Sequence, residues 1–116
     1  HLSSQSQSIN NQYNVSFPIS EPAKFPGGEA AMGKYINEVI KYPETDKNIE
    51  GTCYVSFVVE KDGSLSAIKV KKGIPNGNEY DQEAIRIVSA MPKWNPGRMY
   101  GSAVRVQFTL PIRFAL

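Results

Sequence analysis

One cysteine, one histidine and one tryptophan in 116 residues leave this chain little material for catalysis. Cys53 has no second cysteine to pair with and no neighbouring thiolates that could hold a metal, and its place in an apolar run reads as a small buried side chain. The histidine is residue 1, so neither a Ser-His-Asp nor a Cys-His arrangement can be assembled around it, and no phosphate-binding glycine loop is present. The sequence therefore points away from an enzyme, and no cofactor is expected. Excess charge is missing as well. Thirteen basic against eleven acidic residues leave a net charge of +2, which gives no electrostatic ground for a nucleic-acid or anionic-membrane partner. No stretch approaches the roughly 20 consecutive apolar residues of a membrane span, and no signal-peptide pattern is visible.

What is present suffices for one small core, since 41% of the residues are hydrophobic. Residues 1–24 are rich in Ser, Gln and Asn and read as a polar leader or linker, with residues 25–116 as the domain. Pro18, Pro22, Pro26, Gly27 and Gly28 forbid regular structure ahead of a first helix, expected over residues 29–40, where Met32, Tyr35, Ile36, Val39 and Ile40 recur at helical spacing. Tyr42-Pro43 stops it. A strand is expected over residues 51–60, with Cys53, Val55, Phe57 and Val59 on one face, and Asp62-Gly63 signals a tight hairpin into a second strand over residues 65–72. A second helix follows over about residues 79–91, with Ala84, Ile87, Val88 and Met91 on one face, ended by Pro92. Glu79, Asp81 and Glu83 in its first turns suit the helix dipole. Trp94, between Pro92 and Pro96, is expected to plug the core beneath a turn.

Residues 103–114 then alternate: Val104, Val106, Phe108, Leu110, Ile112 and Phe114 face one way, and Arg105, Gln107, Thr109 and Arg113 the other. The second helix covers roughly 20 Å at about 1.5 Å per residue, the length of a short strand, so it returns the chain to the start of the second strand. The last strand must then lie parallel to the second and pair with the first. The expected fold is α+β: a three-stranded antiparallel sheet in the order 2-1-3, packed against two helices in a split β-α-β arrangement. Its third strand is an edge, and an open edge invites another extended chain. The other edge is guarded by Lys69, Lys71 and Lys72. Pro111 must turn its missing N–H to the unpaired side, which places the donors of Arg105, Gln107 and Thr109 outward and those of Val104, Val106, Phe108 and Leu110 inward.

Phe25-Pro26-Gly27-Gly28-Glu29, Tyr42-Pro43, the run 51–59, Asp62-Gly63, Glu83-Ala84, the segment 91–97, Gly101 and Leu110-Pro111-Ile112-Arg113-Phe114, in this order and spacing, closely resemble the C-terminal domain of TonB-family proteins in the form common in Bacteroidetes. The resemblance covers about residues 25–116. It implies a periplasmic module that takes the TonB-box segment of outer-membrane TonB-dependent transporters as an added strand, and that delivers energy from the inner-membrane ExbB–ExbD motor. Carried onto this chain, the binding strand is Ala103, Val104, Arg105, Val106, Gln107, Phe108, Thr109 and Leu110, with Tyr42 and Pro43 where family members make further contacts. A full transducer has an inner-membrane anchor and a Pro-rich spacer. The chain shows neither, which leaves open a piece of a transducer, a free-standing interaction domain, or a homodimer joined through the same edge. An RNA-binding sheet would need exposed stacking aromatics, but Phe57 shares the core face with Val55 and Val59, leaving Tyr54 alone.

Overall fold

A computed structural model describes residues 20–45 and 49–115. The leader up to residue 19, with the histidine at its start, lies outside the described residues. The first helix, α1 (Glu29–Val39), is followed by β1 (Gly51–Val59) and β2 (Leu65–Lys72), then α2 (Asn78–Ser89). Two short strands, β3 (Gly97–Met99) and β4 (Ser102–Val104), precede the long β5 (Val106–Phe114). The main sheet has the order β2-β1-β5, with β1 antiparallel to both neighbours. This is the expected 2-1-3 arrangement, because β3 and β4 form a separate hairpin.

The alternation of β1 explains its central place. Cys53, Val55, Phe57 and Val59 are all fully buried beneath the helices, alongside Val106, Leu110, Ile112 and Phe114 of β5 and Tyr80, Ala84, Ile87 and Val88 of α2. Each large side chain so placed contributes roughly 1.5–3 kcal/mol relative to exposure. Trp94 is buried as expected, with its ring centroid 5.4 Å from Phe57, 5.1 Å from Phe108 and 6.0 Å from Phe25.

The Asp62-Gly63 signal folds as a three-residue hairpin loop. Gly63 N–H donates to the Glu60 carbonyl and Glu60 N–H to the Ser64 carbonyl, with Gly63 at φ +89°. The hairpin tip rests on Trp94: the Trp94 N–H donates to the Gly63 carbonyl at 2.8 Å.

Helix α1 contributes no fully buried residue; Met32, Tyr35, Ile36 and Val39 pack half-buried against the core. Hydrogen bonds to α2 complete its attachment. Tyr35 Oη donates to the Ile87 carbonyl at 2.9 Å, Arg86 Nη2 donates to the Val39 carbonyl at 2.6 Å, and the Glu83 carboxylate accepts from the Lys41 N–H at 2.7 Å. Glu83 thus does more than suit a helix dipole: it also receives two bonds from Arg86, at 2.8 and 2.7 Å.

Three features depart from the sequence expectation. Helix α2 ends at Ser89 rather than near Met91, because Pro92 disfavours helical backbone at the residue before it. Residues 20–24, placed in the leader from composition, run antiparallel to the 95–98 segment through bridges of Glu21 with Arg98 and Lys24 with Asn95, and Ala23 is buried. The third concerns the last strand. It does not run unbroken from residue 103: Ala103 and Val104 belong to β4, paired with Arg98 and Gly97 of β3, and the strand is interrupted at Arg105 before β5 begins. The cause is the length of β1. Its last ladder pair is Val59 with Val106, so residues earlier than Val106 have no β1 to pair with and take β3 instead. Tyr100 and Gly101, both at positive φ (52° and 84°), form the tight turn that makes this possible.

Candidate functional site

The two edges of the main sheet differ in kind. Strand β2 pairs with β1 through two register shifts, at Tyr54/Val55 and Ser56/Val58, with Ala67 at φ 51°, and it carries exposed Lys69, Lys71 and Lys72. Bulges and lysines both discourage strand addition. Strand β5 pairs with β1 over nine consecutive positions, from Gly51 with Phe114 to Val59 with Val106, with no shift. Among the described residues no strand lies on the other side of β5.

Pro111 sits opposite Tyr54 in this register. Lacking an N–H, it occupies a non-hydrogen-bonded pair, and antiparallel pairs alternate. Val106, Phe108, Leu110, Ile112 and Phe114 therefore exchange backbone bonds with β1. The N–H groups of Gln107, Thr109 and Arg113, and the carbonyls of these three and of Pro111, point outward. Of the sequence-expected site residues, Val106, Gln107, Phe108, Thr109 and Leu110 lie on the edge strand. Ala103 and Val104 do not, since their pairing is with β3. Arg105 lies between β4 and β5, where its guanidinium forms a bidentate pair with Glu60, Nε to Oε1 at 2.8 Å and Nη2 to Oε2 at 3.1 Å. With Ser66 Oγ also donating to it, the Glu60 carboxyl is lowered to about 2.

Tyr42 and Pro43 are brought to the far end of the same strand. The Tyr42 ring lies edge-on to Phe114 at 5.7 Å and to Tyr80 at 6.5 Å, and its Oη accepts the Ala115 N–H at 3.2 Å. Tyr42 pins the end of β5 while remaining 48% exposed.

The side chains of β5 divide between two surfaces. On the face away from the helices, Gln107 Nε2 donates to Ser56 Oγ at 3.0 Å, and the buried Thr109 Oγ1 has no partner among the described residues. On the helix face Phe108 is only half-buried, stacked on Phe57 at 5.6 Å. Beside it opens a cavity of about 350 Å³ walled by Phe25, Met32, Trp94 and Phe108, with Lys24 and Glu29 also lining it. The sequence held a hint in the Phe-Pro-Gly-Gly stretch and the proline-flanked tryptophan, but nothing in it said that they meet at β5. Cys53 is the remaining reactive side chain. Burial and the adjacent Asp81 carboxylate push its thiol up to about 12, so it stays protonated and unreactive. No group of three or more His, Cys, Asp or Glu side chains suited to a metal occurs among the described residues.

Fold and geometry together define an α+β domain with one guarded and one open sheet edge. The profile of the family described as Gram-negative bacterial TonB protein C-terminal matches residues 39–116, and the chain belongs to that family. Among solved structures, the solution NMR structure of the Helicobacter pylori TonB C-terminal domain is similar at 22% identity and a TM-score of 0.57, with 100% of this chain and 95% of that one covered. That likeness shows the same fold. No curated protein sequence matches the chain.

Proposed function

We propose that this domain is a periplasmic binding module of the TonB system, which captures the TonB-box segment of an outer-membrane TonB-dependent transporter as a fourth strand beside β5. Its role in uptake is to pass on energy from an ExbB–ExbD motor, reached through regions outside this chain and anchored in the inner membrane. The observation that carries this reading is the contrast between edges: a shift-free β5 with its outward backbone groups unpaired by any described strand, against a β2 broken by bulges and lined with lysine. Family membership supports it. Each added backbone bond contributes about 1 kcal/mol net, and association costs several kcal/mol, so micromolar affinity is expected at roughly −8 kcal/mol only with side-chain contacts added.

The test is an NMR titration with synthetic TonB-box peptides. Amide shifts concentrated at Gln107, Thr109 and Arg113 are expected, with smaller changes at the inward-bonded residues of β5. Shifts confined to β2 or to the helices would reject the edge. A concentration-dependent change at the same amides without peptide would instead indicate a homodimer through β5.

A further inference from the structure

Five side chains of β5 point to the helix face, and four of them are closed off from solvent: Val106, Leu110, Ile112 and Phe114 are each 5% exposed or less. Phe108 is the exception, only partly buried. Its cross-strand neighbour Phe57 on β1 is fully buried and Trp94 is buried against its ring, so the open side of Phe108 does not face the centre of the sheet. Helix α2 packs over β2 and β1. The cover beside β5 comes from residues 22–25 and the first turn of α1, and these leave the cavity of about 350 Å³ against Phe108. Ala23, Phe25 and Trp94 are its buried lining, whereas Pro22, Lys24 and Glu29 are exposed. The core thus has a gap on the same strand that carries the open edge.

We propose that this gap is a specificity pocket of the edge, filled by a large apolar side chain of the added strand at the position directly opposite Phe108. The proposal rests on strand addition at β5 and names what that strand must carry. Because the N–H groups of Gln107 and Thr109 point outward, an antiparallel partner exchanges backbone bonds with those two residues, and Phe108 falls between them at a non-hydrogen-bonded pair. Side chains facing each other at such a pair share one face of the sheet, with Cβ atoms about 4.5–5.5 Å apart. A side chain there reaches the cavity. At roughly ten times a water's share of the liquid, about 30 Å³, the space admits leucine, methionine or phenylalanine, and walls of Phe25, Met32, Trp94 and Phe108 favour apolar surface. Lys24 and Glu29, the charged residues lining it, are of opposite sign and favour neither a carboxylate nor an ammonium. Two residues away along the same face the added strand would meet Val106 or Leu110, neither of which lines the cavity. One position therefore takes the large side chain. That sets the register, since backbone pairing alone tolerates a slide by two residues, which keeps every side chain on its own face.

The test uses a soluble host peptide of about nine residues, threonine and glutamine alternating between terminal lysines, with leucine, alanine or aspartate at its centre. Leucine is expected to bind at least about tenfold tighter than alanine, from apolar burial, and aspartate no tighter than alanine. The resonance of the Met32 methyl, one of three methionine methyls in the chain, should shift with the leucine peptide and stay in place with the alanine peptide, while the amides of Gln107 and Thr109 respond to both. Moving the leucine by two positions should retain the affinity and carry the contact point of a spin label at the peptide's end by two residues along β5. Met32→Trp, which fills the cavity, should remove the preference for leucine over alanine while the same amides still respond; the wild-type comparisons stand whether or not this variant folds. Equal affinities for leucine and alanine, with the β5 amides shifting and Met32 unmoved, would overturn the pocket and leave the edge intact, and so would a spin-label contact that ignores the position of the leucine. No response at the β5 amides to any peptide would remove the edge reading and the pocket with it. A Met32 shift that follows protein concentration alone would show a second copy in the cavity and would also overturn the proposal.

Discussion

Replacing Thr109 by proline separates the edge as a binding surface from the edge as a structural element. Thr109 pairs with Ser56 at a position of the same parity as Pro111, so its N–H points away from β1 and its loss breaks no ladder bond. Its hydroxyl has no partner among the described residues, so removing it forfeits no hydrogen bond. Phe108, which would precede the new proline, is already in strand conformation. The expected cost to folding is about 1 kcal/mol or less, a fall in Tm of roughly 4–8 °C at most for a domain of this size. For an added strand, the same change deletes one donor worth about 1 kcal/mol and puts a ring in its path, so peptide affinity should drop by at least about fivefold. Leu110→Pro is the control. It removes an inward N–H opposite Val55 together with a buried side chain, and should cost upwards of about 3 kcal/mol. Thermal melts monitored by circular dichroism and peptide titrations on both variants make the comparison. If Thr109→Pro destabilises the fold as much as Leu110→Pro, the assigned parity is wrong. If it folds normally and binds peptide unchanged, the edge is not the binding surface.

Three further outcomes are expected. Gly63→Ala should cost several kcal/mol, because an added Cβ would lie 2.1 Å from the Trp94 carbonyl at a φ of +89°, and a shift of the Trp94 fluorescence maximum should accompany the lowered Tm. Glu60 falls from an ordinary 4.5 to about 2 in the folded chain, so its contribution to stability is complete above pH 4.5 and is lost as pH falls toward 2; melts of wild type and Glu60→Gln should differ above that window and converge at its acid end. Cys53 should resist thiol reagents in native buffer and react fully in denaturant; rapid labelling of the folded protein would contradict its burial.

Most of the framework was legible because it is written locally. The alternation of residues 51–59, the Asp62-Gly63 turn and the limits of β2 each follow from periodicity and turn chemistry within a few residues. The break at Arg105 was not, since Val104 and Val106 continue the same alternation across it, and what ends the strand is the end of β1, more than forty positions earlier in the chain. The β3–β4 hairpin was missed for a related reason: tyrosine is rarely found at positive φ, so Tyr100-Gly101 does not announce a tight turn as Asn-Gly would. At the candidate site the sequence placed residues 103–110 on an edge strand from the 2-1-3 strand order, with Pro111 setting which donors face outward, and the structure keeps residues 106–110 of that run on β5. The cavity beside Phe108 needs Phe25 and Trp94 to converge, which only tertiary structure specifies.

The attachment of residues 20–24 to the 95–98 segment has a mechanical consequence. These residues are joined to the domain by isolated bridges, Glu21 to Arg98 and Lys24 to Asn95, which a pull from the N-terminal side would unzip one at a time. A pull on the chain ahead of residue 20 would therefore load these bridges before it reached the three-stranded sheet.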